Sequence, residues 1–137
     1  MNSCLRFLVV DDNAESRYLL AKTLLQKSPH AVVIECQSAE AAFTLAEQNH
    51  LTAVIVHRAI GTTGIEVIRG IRERSPRVPI IMVSGLDRRT EATEAGADRF
   101  VPFDEWPRIH VVLEDVAQRR ANSPSSTAEP RASAARG

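Results

Sequence analysis

Three features of the chain predict an α/β fold, a single (βα)5 doubly wound parallel sheet. Short apolar runs alternate five times with segments of helical spacing, which is the pattern of parallel strands joined by right-handed crossovers. The runs are continuously apolar, so their strands need cover on both faces. The length of 137 residues suits one domain with a core of its own.

The elements follow in order. Leu5 to Val10 (LRFLVV) reads as a buried strand, halted by Asp11, Asp12 and Asn13, residue types that favour turns and helix N-caps. Ala14 to Lys27 places Tyr18, Leu20, Leu24 and Leu25 near helical spacing, and Ser28-Pro29-His30 breaks it. Ala31 to Cys36 is the second strand, and Ser38 caps a helix running to Gln48. Ala53 to His57 (AVIVH) is the third strand, and the Gly61–Gly64 loop leads to a helix from Ile65 to Arg74. Ile80 to Ser84 (IIMVS) is the fourth strand; a short polar helix from Asp87 to Ala95 ends at Gly96. Arg99 to Val101 is a weaker fifth strand. Glu105 to Arg120 is the last helix, with Pro107 in its first turn and Ile109, Val112, Leu113 and Val116 on one face.

Residues 1–120 therefore form the folded unit. Residues 121–137 carry no large apolar side chain and are expected to be a disordered Ala/Ser/Pro-rich tail. Lys plus Arg and Asp plus Glu each number 17, a neutral balance that argues against a nucleic-acid binder. No apolar run reaches the ~20 residues of a membrane span, and early acids spoil any secretory leader, so the expected compartment is the cytoplasm. Within the balance lies a bias: Lys22 and Lys27 are the only lysines, and every other basic residue is arginine.

Doubly wound sheets place ligands at the carboxyl ends of their strands. Here those ends carry Asp11 and Asp12, His57, Ser84, and Pro102-Phe103. The segments LVVDDNAESR (8–17), AVIVH (53–57), GIEVIRGIRE (64–73), PIIMVSG (79–85) and EAGADRFV (94–101) together resemble a response-regulator receiver domain of the CheY type. The resemblance implies a flavodoxin-like sheet of strand order 2-1-3-4-5. In that order Cys4 and Cys36 lie at opposite ends of neighbouring strands, beyond disulfide reach, and two reduced thiols are expected.

The resemblance also implies a site. In working receivers an aspartate ending the third strand accepts a phosphoryl group, and two acids after the first strand hold magnesium. A Ser or Thr and a Lys then contact the phosphoryl oxygens. Asp11 and Asp12 fill the acidic pair, Ser84 the hydroxyl, and Phe100 the aromatic switch position. The acceptor position, however, holds His57, and the lysine position holds Phe103. No Asp occurs between Asp12 and Asp87 and no Lys after Lys27, so a small shift of alignment restores neither. The loop from His57 to Gly64 is also one residue short of the family spacing and lacks its proline.

Several readings stand open at these positions. Asp11-Asp12 is a helix cap or the remnant of a divalent-ion site. His57 is a strand-end polar residue held by Asp12, a metal ligand with Asp11 and Asp12, or a phosphohistidine acceptor. Magnesium or zinc at the acidic pair is at most weak, because imidazole serves magnesium poorly, and no other cofactor is expected. Phe103 and Trp106 suggest an apolar plug, and Arg69, Arg72, Arg74 and Arg77 suggest a solvated basic face interleaved with Glu66 and Glu73. A flavodoxin-type electron carrier is excluded, because the acids of DDNAES would repel a cofactor phosphate.

The expected function is a stand-alone, degenerate receiver of a bacterial two-component phosphorelay system. It acts as a phosphorylation-independent protein-interaction module and not as an enzyme. Its expected partner is a kinase, a regulator or a second copy of itself, met through the fourth helix, fifth strand and fifth helix, with Arg88, Arg89, Phe100 and Arg108 on that face. The alternative is a metal-binding or phosphotransfer domain using Asp11, Asp12 and His57.

Overall fold

The computed structural model describes residues 5–48 and 50–122. In chain order they form β1 (Arg6–Val10), α1 (Ala14–Lys27), β2 (Val32–Cys36), α2 (Ala39–Gln48), β3 (Ala53–Val56), α3 (Gly64–Arg74), β4 (Ile80–Ser84), α4 (Arg89–Ala95) and β5 (Arg99–Pro102). A 3₁₀ helix over Phe103–Arg108 then leads into α5 (Ile109–Asn122). All strand pairs are parallel, in the order β2-β1-β3-β4-β5.

Strand alternation sorts the apolar runs into two cores. Leu8, Val10, Val54, Val56, Ile80, Met82 and Phe100 point to the face covered by α2, α3 and α4. Phe7, Val9, Ala53, Ile55, Ile81, Val83 and Val101 point to the other, where Leu20 and Leu24 of α1 and Ile109 of α5 cover them. Fully burying one such side chain contributes about 1.5–3 kcal/mol, so this two-sided burial dominates the stability.

Several boundaries move for physical reasons. α1 buries Leu20, Ala21 and Leu24, whereas Tyr18 is 64% exposed and Leu25 also faces outward, so the buried stripe is narrower than the apolar spacing predicts. Asn13, not Asp11 or Asp12, caps α1: its side chain accepts the Ser16 N–H at 2.9 Å. Ser38 caps α2 as predicted, accepting the Ala41 N–H. Helix α4 begins at Arg89 rather than Asp87, because Asp87 instead takes the Arg89 N–H in a local turn. It ends as expected at Gly96, whose φ of +118° is open chiefly to glycine. Pro107 sits in the 3₁₀ turn ahead of α5, which delays the α-helix to Ile109.

The predicted domain limit at residue 120 is also passed, since α5 continues to Asn122. The rest of the predicted tail, 123–137, lies outside the described residues, as does Cys4. Cys36 is buried, and burial pushes its thiol pKa up to about 11. No described helix is long and apolar enough to cross a membrane.

Candidate functional site

The site stands at the carboxyl edge of the sheet, where parallel pairing runs on past the strand ends. The Asp11 N–H donates to the Cys36 carbonyl at 3.1 Å, and the His57 N–H donates to the Val10 carbonyl at 2.9 Å. These two bonds align the residues that follow β1 and β3 and bring Asp11 beside His57. Asp11 is the one buried charged residue among those described, with 0% exposure.

Every oxygen of that carboxylate is occupied. Oδ1 accepts the Asn13 N–H at 3.0 Å; Oδ2 lies 2.9 Å from His57 Nδ1 and also accepts the Ser16 hydroxyl. Burial acts to raise the Asp11 pKa, but hydrogen bonds from His57, Ser16 and Asn13, with the His57 charge, outweigh it and hold the carboxyl below its ordinary 3.8. Asp11, and not Asp12 as the sequence suggested, is therefore the partner of His57. An ionised carboxylate has no hydrogen to give, so Nδ1 is the donor in this contact.

Arg58 is the functional residue that sequence reasoning missed. Its Nε lies 3.6 Å from Asp11 Oδ1 and 3.5 Å from Asp12 Oδ1, so one guanidinium spans the acidic pair. The only available signal was its place directly after His57, where the chain leaves β3 and must turn past the acids. Gly64, at the head of α3, allows the return: a Cβ there would stand 3.1 Å from both the His57 carbonyl and Met82 Cε. The far wall is Phe103, whose ring stacks on His57 with centroids 5.1 Å apart and planes inclined at 24°. Phe103 thus stands against His57, while Trp106 belongs to the core between the sheet, α1 and α5.

With Arg58 in place the residues do not fit a divalent metal. Asp11 already takes three hydrogen bonds within the protein, Asp12 faces a guanidinium, and the third ligand is an imidazole in direct contact with Asp11. Among the described residues no three His, Cys, Asp or Glu groups stand together to hold an ion. Asp11 and His57 of the predicted set are brought together, and Asp12 is drawn off toward Arg58.

Ser84 ends β4, and its Oγ accepts the Leu86 N–H at 3.0 Å. Of the predicted output face, Arg88, Arg89 and Arg108 reach solvent. Phe100 does not: it is 9% exposed, packs in the core, and lies 5.1 Å under the Arg89 guanidinium. Its selection as a surface contact is corrected by that burial. The basic stretch on α3 is corrected too, because Arg72 turns inward and donates to the Gly96, Pro76 and Val78 carbonyls at 2.7–3.0 Å.

Comparison with known proteins agrees with this fold. Residues 7–105 match the family described as "Response regulator receiver domain". The two-component response regulator PhoP of Pseudomonas aeruginosa is 29% identical over 130 residues, 91% of this chain and 57% of that protein. The transcriptional regulatory protein ResD of Bacillus subtilis is 33% identical over 123 residues, 88% of this chain and 50% of that one. The chain thus spans about half the length of these curated relatives. A two-component response regulator of the LuxR family from Aurantimonas superposes with a TM-score of 0.72 at 28% identity, covering 91% of this chain and 94% of that one.

Proposed function

The chain belongs to the receiver-domain family of response regulators, and from that premise we propose that it is a degenerate receiver, a phosphorylation-independent protein-interaction module of a two-component system. One observation carries the reading. The acidic charge that a receiver meets with a metal ion is met here within the chain, by His57 at 2.9 Å from Asp11 and by Arg58 across Asp11 and Asp12. An aspartyl acceptor is missing from the end of β3, and a lysine from the loop after β5. Phosphoryl transfer needs cations at the equatorial oxygens. Phe103 offers an aromatic face in that place.

The module works in the cytoplasm and signals by binding, not by catalysis. Its partner is a kinase, another regulator or a second copy, met at the α4-β5-α5 face through Arg88, Arg89 and Arg108. Phe100 acts beneath that face as its support.

The test is intact mass after incubation with acetyl phosphate or phosphoramidate and magnesium. The expected result is no stable gain of a phosphoryl group. A stoichiometric gain mapped to the His57 loop overturns the proposal and favours a phosphohistidine. A pull-down comparing wild type with an Arg88→Ala/Arg89→Ala/Arg108→Ala variant tests the face. Equal recovery of partners moves the interface elsewhere.

A further inference from the structure

At the amino edge of the sheet, opposite His57, a cavity of about 330 Å³ opens between the last turn of α1 and α5. Phe7 and Ala53, at the starts of β1 and β3, and Pro79, just before β4, form its floor. Leu24 of α1 and Ile109, Leu113 and Val116 of α5 form its sides. One cation and one anion also line it, Lys27 in the last turn of α1 and Glu114 on the facing helix α5. Both side chains are exposed, so they stand at the mouth, and neither has an ion pair or hydrogen bond among the described residues.

We propose that this cavity binds a free apolar α-amino acid, with its side chain inside, its carboxylate on Lys27 and its ammonium on Glu114. The site goes beyond the reading above and does not depend on it, because the two lie at opposite ends of the sheet.

Three features carry the assignment. The first is the match of charge. Lys27 and Glu114 come from different helices on long side chains and pair with nothing, so a ligand bearing both signs meets each without displacing an existing contact. An apolar acid would set its carboxylate beside Glu114, and an apolar amine would set its ammonium beside Lys27. The zwitterion answers both. The second is the match of size and polarity. The volume stands at the small end of the ~300–1,000 Å³ typical of ligand sites, room for one modest organic group. An apolar wall with few polar groups gives that group a place to bury, and filling the space supplies the dispersion contacts that an open cavity forfeits. The third is a spare donor. Thr52 lines the cavity, and its Oγ1 accepts the Arg6 N–H at 3.0 Å, which leaves the hydroxyl hydrogen to meet a carboxylate oxygen.

The tail does not compete for the space, because residues 123–137 contain no large apolar side chain.

The experiment is an NMR titration of the full chain, read at the backbone amides, with phenylalanine, hydrocinnamate, phenethylamine and alanine. The last three remove in turn the ammonium, the carboxylate and the apolar group. Phenylalanine is expected to saturate one site and to move the amides of Leu24, Thr52 and Leu113 while leaving His57 and Ser84 in place. Hydrocinnamate and phenethylamine are each expected to bind ~3-fold or more weaker, the scale of one exposed ion pair. Alanine is expected to bind ~10-fold or more weaker, for want of a side chain to bury. Lys27→Gln should weaken phenylalanine and hydrocinnamate and spare phenethylamine, and Glu114→Gln should weaken phenylalanine and phenethylamine and spare hydrocinnamate. Lys22→Gln, which does not reach the cavity, should change none of them. Both glutamine variants alter exposed positions, and thermal melts confirm that they are folded. No saturation by phenylalanine overturns the proposal, as do shifts confined to the His57 edge. Unchanged affinity in both glutamine variants overturns the two head-group contacts. Affinity for hydrocinnamate or phenethylamine equal to that for phenylalanine overturns the amino acid as ligand. Shifts at these amides on dilution of the protein alone, with none on adding phenylalanine, overturn it in favour of a second copy. None of these readings involves phosphoryl transfer, so failure here leaves the mass measurement above unaffected.

Discussion

Two arginines hold carboxylates at opposite ends of the same sheet, and they do so in different ways. At the amino edge Arg72 is 21% exposed and spends its guanidinium on four backbone carbonyls and Asp98, which in turn accepts the Ile80 N–H. This ties the end of α3 to the starts of β4 and β5. At the carboxyl edge Arg58 is 52% exposed and meets Asp11 and Asp12 only at long range. The first arginine is built into the fold, and the second is left able to exchange partners. In a doubly wound sheet the carboxyl edge is the side where ligands bind, so the loosely committed cation stands where it can be used.

The contrast can be broken by substitution. Arg72→Ala should have the largest effect. It strips a cluster of mostly half-buried acceptors and removes the 3.1 Å ion pair with Asp98, a loss of about 3 kcal/mol read as a lower denaturant midpoint. A loss below ~1 kcal/mol would place Arg72 among ordinary surface pairs.

Asp11→Ala comes next, at about 2 kcal/mol, because Ser16, His57 and the Asn13 amide lose an acceptor in a buried place. Its sign with pH is definite. The folded pKa lies below the ordinary 3.8, so the stabilisation is complete above that value and is lost as the pH falls through the lower folded one. Stability against pH should therefore lose part of its acid limb in Asp11→Asn; an unchanged limb would contradict the assignment.

Arg58→Ala should cost under ~1 kcal/mol, the scale of an exposed pair. It should also expose the acidic pair, so that manganese raises the melting temperature of the variant and leaves wild type unmoved. Equal responses would show that Arg58 does not stand in for a cation.

The smallest effect is chemical. With its pKa pushed from 9.0 to about 11, Cys36 holds about 100-fold less thiolate at pH 8 than an open cysteine, so in a Cys4→Ser background a thiol-disulfide dye should react with it only after unfolding. Fast labelling of the native chain at Cys36 would sharpen the limit on how tightly β2 closes over it.

The site was legible in part. The absence of an Asp at the end of β3 and of a Lys after β5 is a matter of composition and order, readable from the chain alone. His57 and the acids were also legible as neighbours, because parallel pairing fixes which strand ends lie side by side. Which acid holds His57 was not. Asp11 and Asp12 are equivalent in spacing, and the choice falls to Asp11 because its side chain is the one turned under the sheet edge, where Asn13 and Ser16 also reach it. Phe100 read as a surface aromatic because strand position alone does not say which face α4 covers.

The chain by itself determined the five-fold alternation, the strand positions, the caps at Ser38 and Gly96, and the two missing residues of the family's chemistry. These depend on local hydrophobic period, on turn chemistry and on residue identity, all short-range properties. Only the tertiary structure decided that Arg72 is internal, that Arg58 spans Asp11 and Asp12, and that Phe103 stacks on His57. Arginine reaches several ångströms from its backbone and takes whichever acceptors the fold assembles within range, so its role depends on residues distant in sequence.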